Sequence, residues 1–260
     1  MAIKSGETTY HQAKRGIVQN GLVLNLDAGV DASYDGGTTW RDLEGGNDGT
    51  LTNMTDNFDS ANGGSLTFDG SNEQVIGTNS ELLSFGDGSN DSPFSLSCWC
   101  YLAANSPASN FPLIAKYRSY QPFRGEYSFS VISGNKLIMQ CVDGTTTVRC
   151  RRTSVDSLST NRWYNLVSTY NANGSDSGLV LYLNGVVFQS SGAGEDGSYV
   201  AMQRAGDPSE LTIGGFLDEG NTFYQGYFNG NISNVSIYNR ALTATEVLQN
   251  YNVTRHRFGV

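Results

Sequence analysis

The sequence predicts an all-β fold, a two-sheet antiparallel jelly-roll sandwich closed by one short C-terminal helix. Three observations carry this. Short alternating or apolar runs recur at regular spacing from Gly21 onward, each bounded by Gly, Ser or Asn. Glycine is abundant, at 31 residues, and proline scarce, at 5, which suits strands joined by tight turns. Only one segment, near the C-terminus, carries helix-start chemistry, so no βαβ alternation and no parallel sheet is expected.

Taken in order, residues 1–20 show no sustained periodicity and read as an extended arm. GLVLNLDAG, from Gly21, is a strand ending at Asp27, followed by a loop through Ser33–Gly37 and an irregular stretch to Asn53. Ser65–Gly70 and Gln74–Ile76 are the next strands. In Phe94–Tyr101, Phe94, Leu96, Cys98 and Cys100 share one face, and Ser95, Ser97, Trp99 and Tyr101 the other. Leu113–Tyr117, Tyr127–Ile132, Lys136–Val142, Thr145–Arg149 and Trp163–Tyr170 follow. LVLYLNGVVF is a hairpin: Asn184-Gly185 favours a type I′ turn, which pairs Leu183 with Val186 and Leu181 with Phe188. Glu210–Gly215 and Tyr224–Phe228 lead to a turn at Gly230-Asn231 and a strand through Ile232, Val235, Ile237 and Tyr238. Thr243 and Glu246 have capping-box spacing, with Val247, Leu248 and Tyr251 as the apolar face of the helix. The expected organisation is an arm (1–20), one domain (21–252) and a basic tail (253–260).

Charged residues make up only 16% of the chain, and the net charge is −9. The positive residues Lys4, Lys14 and Arg15 at one end and Arg255 and Arg257 at the other leave the middle more acidic than the whole. That argues against nucleic acid as a partner. No apolar run approaches the ~20 residues of a membrane span, and residues 1–20 lack the apolar core of a secretory signal. The expectation is a protein made and folded in a cytoplasm, with no membrane partner. Its four cysteines are expected as free buried thiols. Cys98 and Cys100 sit on one strand, and a two-residue hairpin at Asp143-Gly144 would set Cys150 opposite Leu137 rather than Cys141.

SLTFDGSNEQV, FSLSCWCYL, WYNLVSTYN, GLVLYLNGVVF, LTIGG and FNGNISNVSIYNRALTATEV stand in the order found in laminin G-like domains of the concanavalin A-like lectin/glucanase superfamily. The chain resembles that family over roughly residues 21–252. GLVLNLDAG, SYDGG, TWRDL and the terminal QNYNVTRHRFG are similar to the version of the domain found in structural proteins of tailed bacteriophages. The resemblance implies a concanavalin A-like sandwich in a virion protein, a capsid decoration or fibre component, with other virion proteins as partners. A homo-oligomer is a further arrangement it allows.

The chemistry the residues could support is narrow. Both histidines, His11 and His256, lie in the terminal segments, so a histidine-based triad or zinc site inside the domain is not expected. Glucanases of the superfamily resemble one another in an E-x-D-x-E strand that aims two carboxylates at one sugar. No such motif occurs here, so no enzymatic activity is expected. Calcium is the cofactor that Asp27 and Asp69, each ending a strand beside glycine, could hold; the same acids could equally cap turns. Where many relatives carry a further acid pair after Phe-Asp-Gly, this chain has Ser71-Asn72-Glu73. A host-surface glycan would need exposed aromatic faces, and the candidates are Tyr117, Tyr120, Phe123 and Tyr127, with Tyr224 and Tyr227 as a second group. Ordinary packing would use the same residues. Lys4, Lys14, Arg15, Arg255 and Arg257 are the candidate anchors to a partner protein, on the expectation that both ends are extended.

Overall fold

A computed structural model describes residues 16–105, 110–118, 124–143, 149–192, 199–202, 210–217 and 226–260. Its strands, in chain order, are β1 (Leu22–Asp27), β2 (Thr39–Trp40), β3 (Gly49–Thr52), β4 (Phe58–Asp59), β5 (Ser65–Asp69), β6 (Gln74–Ile76), β7 (Phe94–Leu102), β8 (Phe111–Arg118) and β9 (Arg124–Ile132). They continue with β10 (Lys136–Val142), β11 (Arg149–Ser154), β12 (Arg162–Tyr170), β13 (Leu179–Leu183), β14 (Val186–Val187), β15 (Ser190–Gly192), β16 (Thr212–Ile213) and β17 (Asn229–Tyr238). Among the described residues one α-helix, α1 (Ala244–Thr254), follows, and a 3₁₀ turn over Arg255–Arg257 extends it.

The strands form two antiparallel sheets. The front sheet runs β14-β13-β12-β7-β17-β5-β4, with β1 pairing β17 beyond the end of β5; the back sheet runs β15-β11-β10-β9-β8-β16-β6-β3-β2. Alternation places one face of each sheet inside. Leu24, Leu66, Phe94, Leu96, Val235 and Ile237 from the front meet Leu113, Phe129, Val131, Leu137 and Met139 from the back in one buried core. The expected sandwich is therefore present. Its very short strands β2 and β3 fall in the stretch read from sequence as irregular, and β4 in residues assigned to no element, because two to four residues cannot display a period of two.

The outer face of the front sheet is covered as well. Val18, Leu22, Val167, Tyr182, Tyr238, Leu242 and Val247 form one apolar cluster there, and Trp99, Trp163 and Phe258 another. Helix α1 starts at the predicted capping box: Thr243 Oγ1 accepts from the Glu246 N–H, and Glu246 accepts from the Thr243 N–H. Its buried face differs from the expected one. Val247 and Asn250 are buried, whereas Leu248 is 41% exposed. The Asn250 side chain is turned inward because it has partners there, accepting from the Val18 N–H at 2.8 Å and donating to the Tyr238 hydroxyl at 3.0 Å. Burial pushes that phenol up to about 12.

Four further expectations are corrected. Gly230-Asn231 is not a turn: β17 runs straight through it, and glycine is needed because a Cβ at 230 would lie 1.9 Å from the Tyr101 carbonyl oxygen. Cys150 stands directly opposite Cys141, not Leu137, since β10 and β11 pair Val142 with Arg149 around a longer connection. All four thiols are free and buried. Of the proposed arm, residues 16–20 belong to the body, with Gly16 O accepting from Gln249 Nε2 and Asn20 O from Arg240 Nε. The proposed tail is not extended either, for Phe258 is only 5% exposed and stacks 4.0 Å from Trp99.

Candidate functional site

The outer face of the front sheet holds an open cleft of about 360 Å³ where β12 and β7 meet the C-terminal segment. Its position follows from strand register. Tyr101 on β7 lies directly opposite Trp163 on β12, and alternation sends both outward, so their rings meet at 5.7 Å and 54°. Phe258 closes one side, its ring 4.7 Å from Trp163.

Polar groups rim these rings. Asn161 and Asn184, both lining the cleft, hold left-handed φ values of 60° and 51°, which Asn tolerates better than most residues. Asn161 Oδ1 accepts from the Tyr101 hydroxyl at 3.3 Å. Asn184 Oδ1 accepts from the Asn165 N–H at 2.9 Å, so its Nδ2 group is the donor that remains to be offered. Arg162 is exposed at the rim, and its guanidinium makes no hydrogen bond or ion pair to the described residues. Aromatic faces beside amide and guanidinium donors can stack on the C–H face of a pyranose and donate to its hydroxyls. Among the described residues, no Asp or Glu lines the cleft.

The residues singled out from sequence are dispersed. Tyr120, Phe123, Tyr224, Lys4, Lys14 and Arg15 lie outside the described residues. Tyr127 is fully buried, packed against Phe85 and Phe94, and donates its hydroxyl to Leu83 O at 3.0 Å; it offers no face to a glycan. Tyr117 is half-buried against Phe216, at 5.6 Å, and Tyr227 is likewise half-buried. Arg255 is exposed, its guanidinium 5.7 Å from the Tyr251 ring centroid.

Arg257 and Asp27, assigned from sequence to anchoring and to calcium, turn out to be partners of each other. Arg257 Nη1 and Nη2 donate to Asp27 Oδ2 and Oδ1 at 2.7 and 3.0 Å, and Nη2 also reaches Gly63 O and Ser233 Oγ. This fork-to-fork pair commits both side chains to the fold. Asp27 and Asp69 each also cap a turn, accepting from the Gly29 and Ser71 N–H groups. Along β17 they stand opposite Asn234 and Asn229. At ~3.3 Å per residue that separation is roughly 16 Å, too far for one cation to bridge. The two acids do not fit a shared calcium site.

The cleft residues Tyr101, Asn161, Arg162, Trp163 and Asn184 were not singled out for binding by sequence reasoning. The signal existed for two of them: Tyr101 falls on the outward face of a predicted strand, and Trp163 begins another. Their meeting depends on β7 pairing with β12, about sixty residues apart, and that pairing is not written locally.

An all-β sandwich with a rimmed aromatic cleft on one sheet defines a lectin-like class of protein. The model of the laminin G-like family, described as the concanavalin A-like lectin/glucanases superfamily, matches residues 69–248. The chain belongs to that family. A search among curated proteins finds no matching relative. Among solved structures, the chain is similar to a Trypanosoma rangeli sialidase in complex with the inhibitor DANA (TM-score 0.58, 16% identity, 90% of this chain and 33% of the sialidase). It is also similar to the same species' sialidase in complex with sialic acid (0.57, 17%, 97% and 38%). The binding domain of botulinum neurotoxin serotype G is a third (0.58, 18%, 89% and 51%). The chain thus spans about a third to a half of these proteins, and at such identities the likeness concerns the fold.

Proposed function

We propose that this chain is a non-enzymatic, lectin-like structural component of a bacteriophage particle, a capsid decoration or fibre protein that holds glycan in the Tyr101–Trp163 cleft. The observation that carries the glycan reading is the cleft itself, with two aromatic rings set by register and flanked by Asn184 and by Arg162, whose guanidinium is unpaired among the described residues. Among the described residues no Asp or Glu side chain lines it, which supports binding without hydrolysis, since glycoside cleavage needs an acid pair across the sugar. The virion assignment rests on the likeness of the GLVLNLDAG, TWRDL and QNYNVTRHRFG segments to phage structural proteins. With Arg257 committed to Asp27, anchoring to a partner protein falls to Lys4, Lys14, Arg15 and Arg255.

A printed array of neutral and acidic oligosaccharides, read with the labelled full chain, tests the glycan reading. Binding that drops at least tenfold in Arg162→Gln and Asn184→Ala supports it; a blank array overturns it. Mass spectrometry of separated phage heads and tails tests the placement, and absence from both would overturn the virion reading.

A further inference from the structure

We infer that Arg257 is a positioning residue for the cleft, acting as a clasp whose grip on Asp27 holds Phe258 in place as the cleft wall. The inference rests on the glycan reading above. Its geometry is that of two consecutive side chains on the outer face of the front sheet, with the Arg257 guanidinium carbon 5.4 Å from the Phe258 ring centroid. Arg257 reaches toward β17 and β1, taking both Asp27 oxygens and, through Nη2, Gly63 O at 3.0 Å and Ser233 Oγ at 3.0 Å. Phe258 reaches toward β7 and β12, stacking on Trp99 at 4.0 Å and 16° and meeting Trp163 at 4.7 Å.

The segment has few other ways to stay put. Helix α1 ends at Thr254, and only the single 3₁₀ turn Arg255–Arg257 carries the chain on to Phe258. Arg255 and His256 within that turn are exposed. The sheet beneath provides a receptor for the guanidinium: Ser233 is the residue left unpaired where the β17–β7 register shifts between Ile232 and Asn234, and its buried hydroxyl also donates to Gly64 O at 2.7 Å. Gly63 and Gly64 come close enough to Asp27's loop that a Cβ on Gly29 would lie 1.7 Å from Gly63 O and 2.2 Å from Arg257 Nη2. The pocket for Arg257 is therefore assembled from β1, the 61–64 turn and the β17 bulge. Without its pull, Phe258 keeps its ring stacking and the N–H bond to Arg255 O at 3.0 Å, but nothing else among the described residues fixes it as the side of the cleft beside Tyr101 and Trp163.

The test uses the full chain on the same oligosaccharide array, with Arg257→Met, Arg257→Lys, Phe258→Leu and an interior control, Ile237→Val. Acrylamide quenching of tryptophan fluorescence reports how well Phe258 covers Trp99 and Trp163. The expected result is at least a tenfold loss of glycan binding and a clear rise in quenching for Arg257→Met and Phe258→Leu. Arg257→Lys should recover much of both, and Ile237→Val should lower the melting temperature with binding unchanged. If Arg257→Met fails to fold, Phe258→Leu decides alone. Wild-type binding that persists in Arg257→Met or Phe258→Leu overturns the clasp and leaves the glycan reading standing. A wild-type chain that binds nothing on the array overturns the glycan reading and this inference with it.

Discussion

The two buried layers of this molecule are held by different chemistry. Between the sheets the contacts are almost wholly apolar, and side chains such as Leu24, Leu66, Leu96 and Ile237 are completely enclosed. The layer outside the front sheet is a set of discrete ties. Two apolar clusters flank a strip of buried polar side chains, Ser97, Asn165, Asn234 and Ser236, and Asn165 Oδ1 has no partner among the described residues. Directed bonds do the fastening: Asn250 to Val18 N, Trp99 Nε1 to Thr254 Oγ1, Arg257 to Asp27 and Arg240 to Glu246. An apolar core is non-directional and yields as a unit, whereas separate ties can be lost one at a time. The interior should therefore set global stability, and the outer layer should fail locally.

The sharpest way to break that contrast is in the interior. Ile237→Ala should cost about 3 kcal/mol, the sum of lost transfer energy and an unfilled cavity. Denaturant unfolding should show it as a lowered midpoint with an unchanged slope. A cost below about 1 kcal/mol would mean that the core relaxes more freely than close packing allows.

Next in size is the clasp. Arg257→Met should cost about 2 kcal/mol, because Asp27 would be left partly buried without its charge partner; each side chain is 16% exposed in the pair. The double variant Asp27→Asn, Arg257→Met should cost no more than the worse single change, since both remove one interaction. Additive losses in that cycle would show that Arg257 stabilises mainly through Gly63 and Ser233.

A smaller effect belongs to the helix start. Arg240 donates to both Glu246 oxygens at 2.8 and 2.7 Å, and that pairing, with help from the capping box, holds the Glu246 carboxyl down to about 2. A carboxyl lowered in the fold is more acidic there than in the unfolded chain. Its stabilisation is therefore complete above the ordinary value near 4.5 and is lost as pH falls from there toward 2. With 27% of the side chain exposed, the contribution should be about 1 kcal/mol. Comparing wild type with Glu246→Gln across that window checks it: the two stability curves should converge as pH drops, and parallel curves would remove the pair from the account.

The inner layer was legible in the sequence because alternation is a local signal: Phe94–Tyr101 and Trp163–Tyr170 display their faces within a few residues. The capping box of α1 was legible for the same reason. The outer layer was not, because its ties join distant positions. Nothing near Asp27 announces Arg257, which lies 230 residues on. A strand-ending Asp beside glycine looks the same whether it awaits a cation or a guanidinium. The Cys141–Cys150 register failed on another ground: an Asp-Gly pair suggests a two-residue turn pairing Val142 with Thr145, but Val142 pairs with Arg149. The cleft was half legible, with Tyr101 outward by alternation and its partner supplied by strand pairing.

The smallest predicted effect tests how finely the outer layer is built. Val247 and Leu248 are adjacent on α1, and an apolar-face reading treats them alike. Yet Val247 is fully buried beside Tyr238 and Leu242, whereas Leu248 is 41% exposed. The inward position one turn along is taken by Asn250, whose amide has two buried partners, so the helix is rolled to present an amide where a leucine was expected. Leu248→Ala should then change stability by no more than about 0.5 kcal/mol, in the range of surface substitutions. Val247→Ala should cost several times that. Equal losses at the two positions would mean that α1 sits on the sheet by its apolar stripe alone, and that the amide ties contribute little to holding it there.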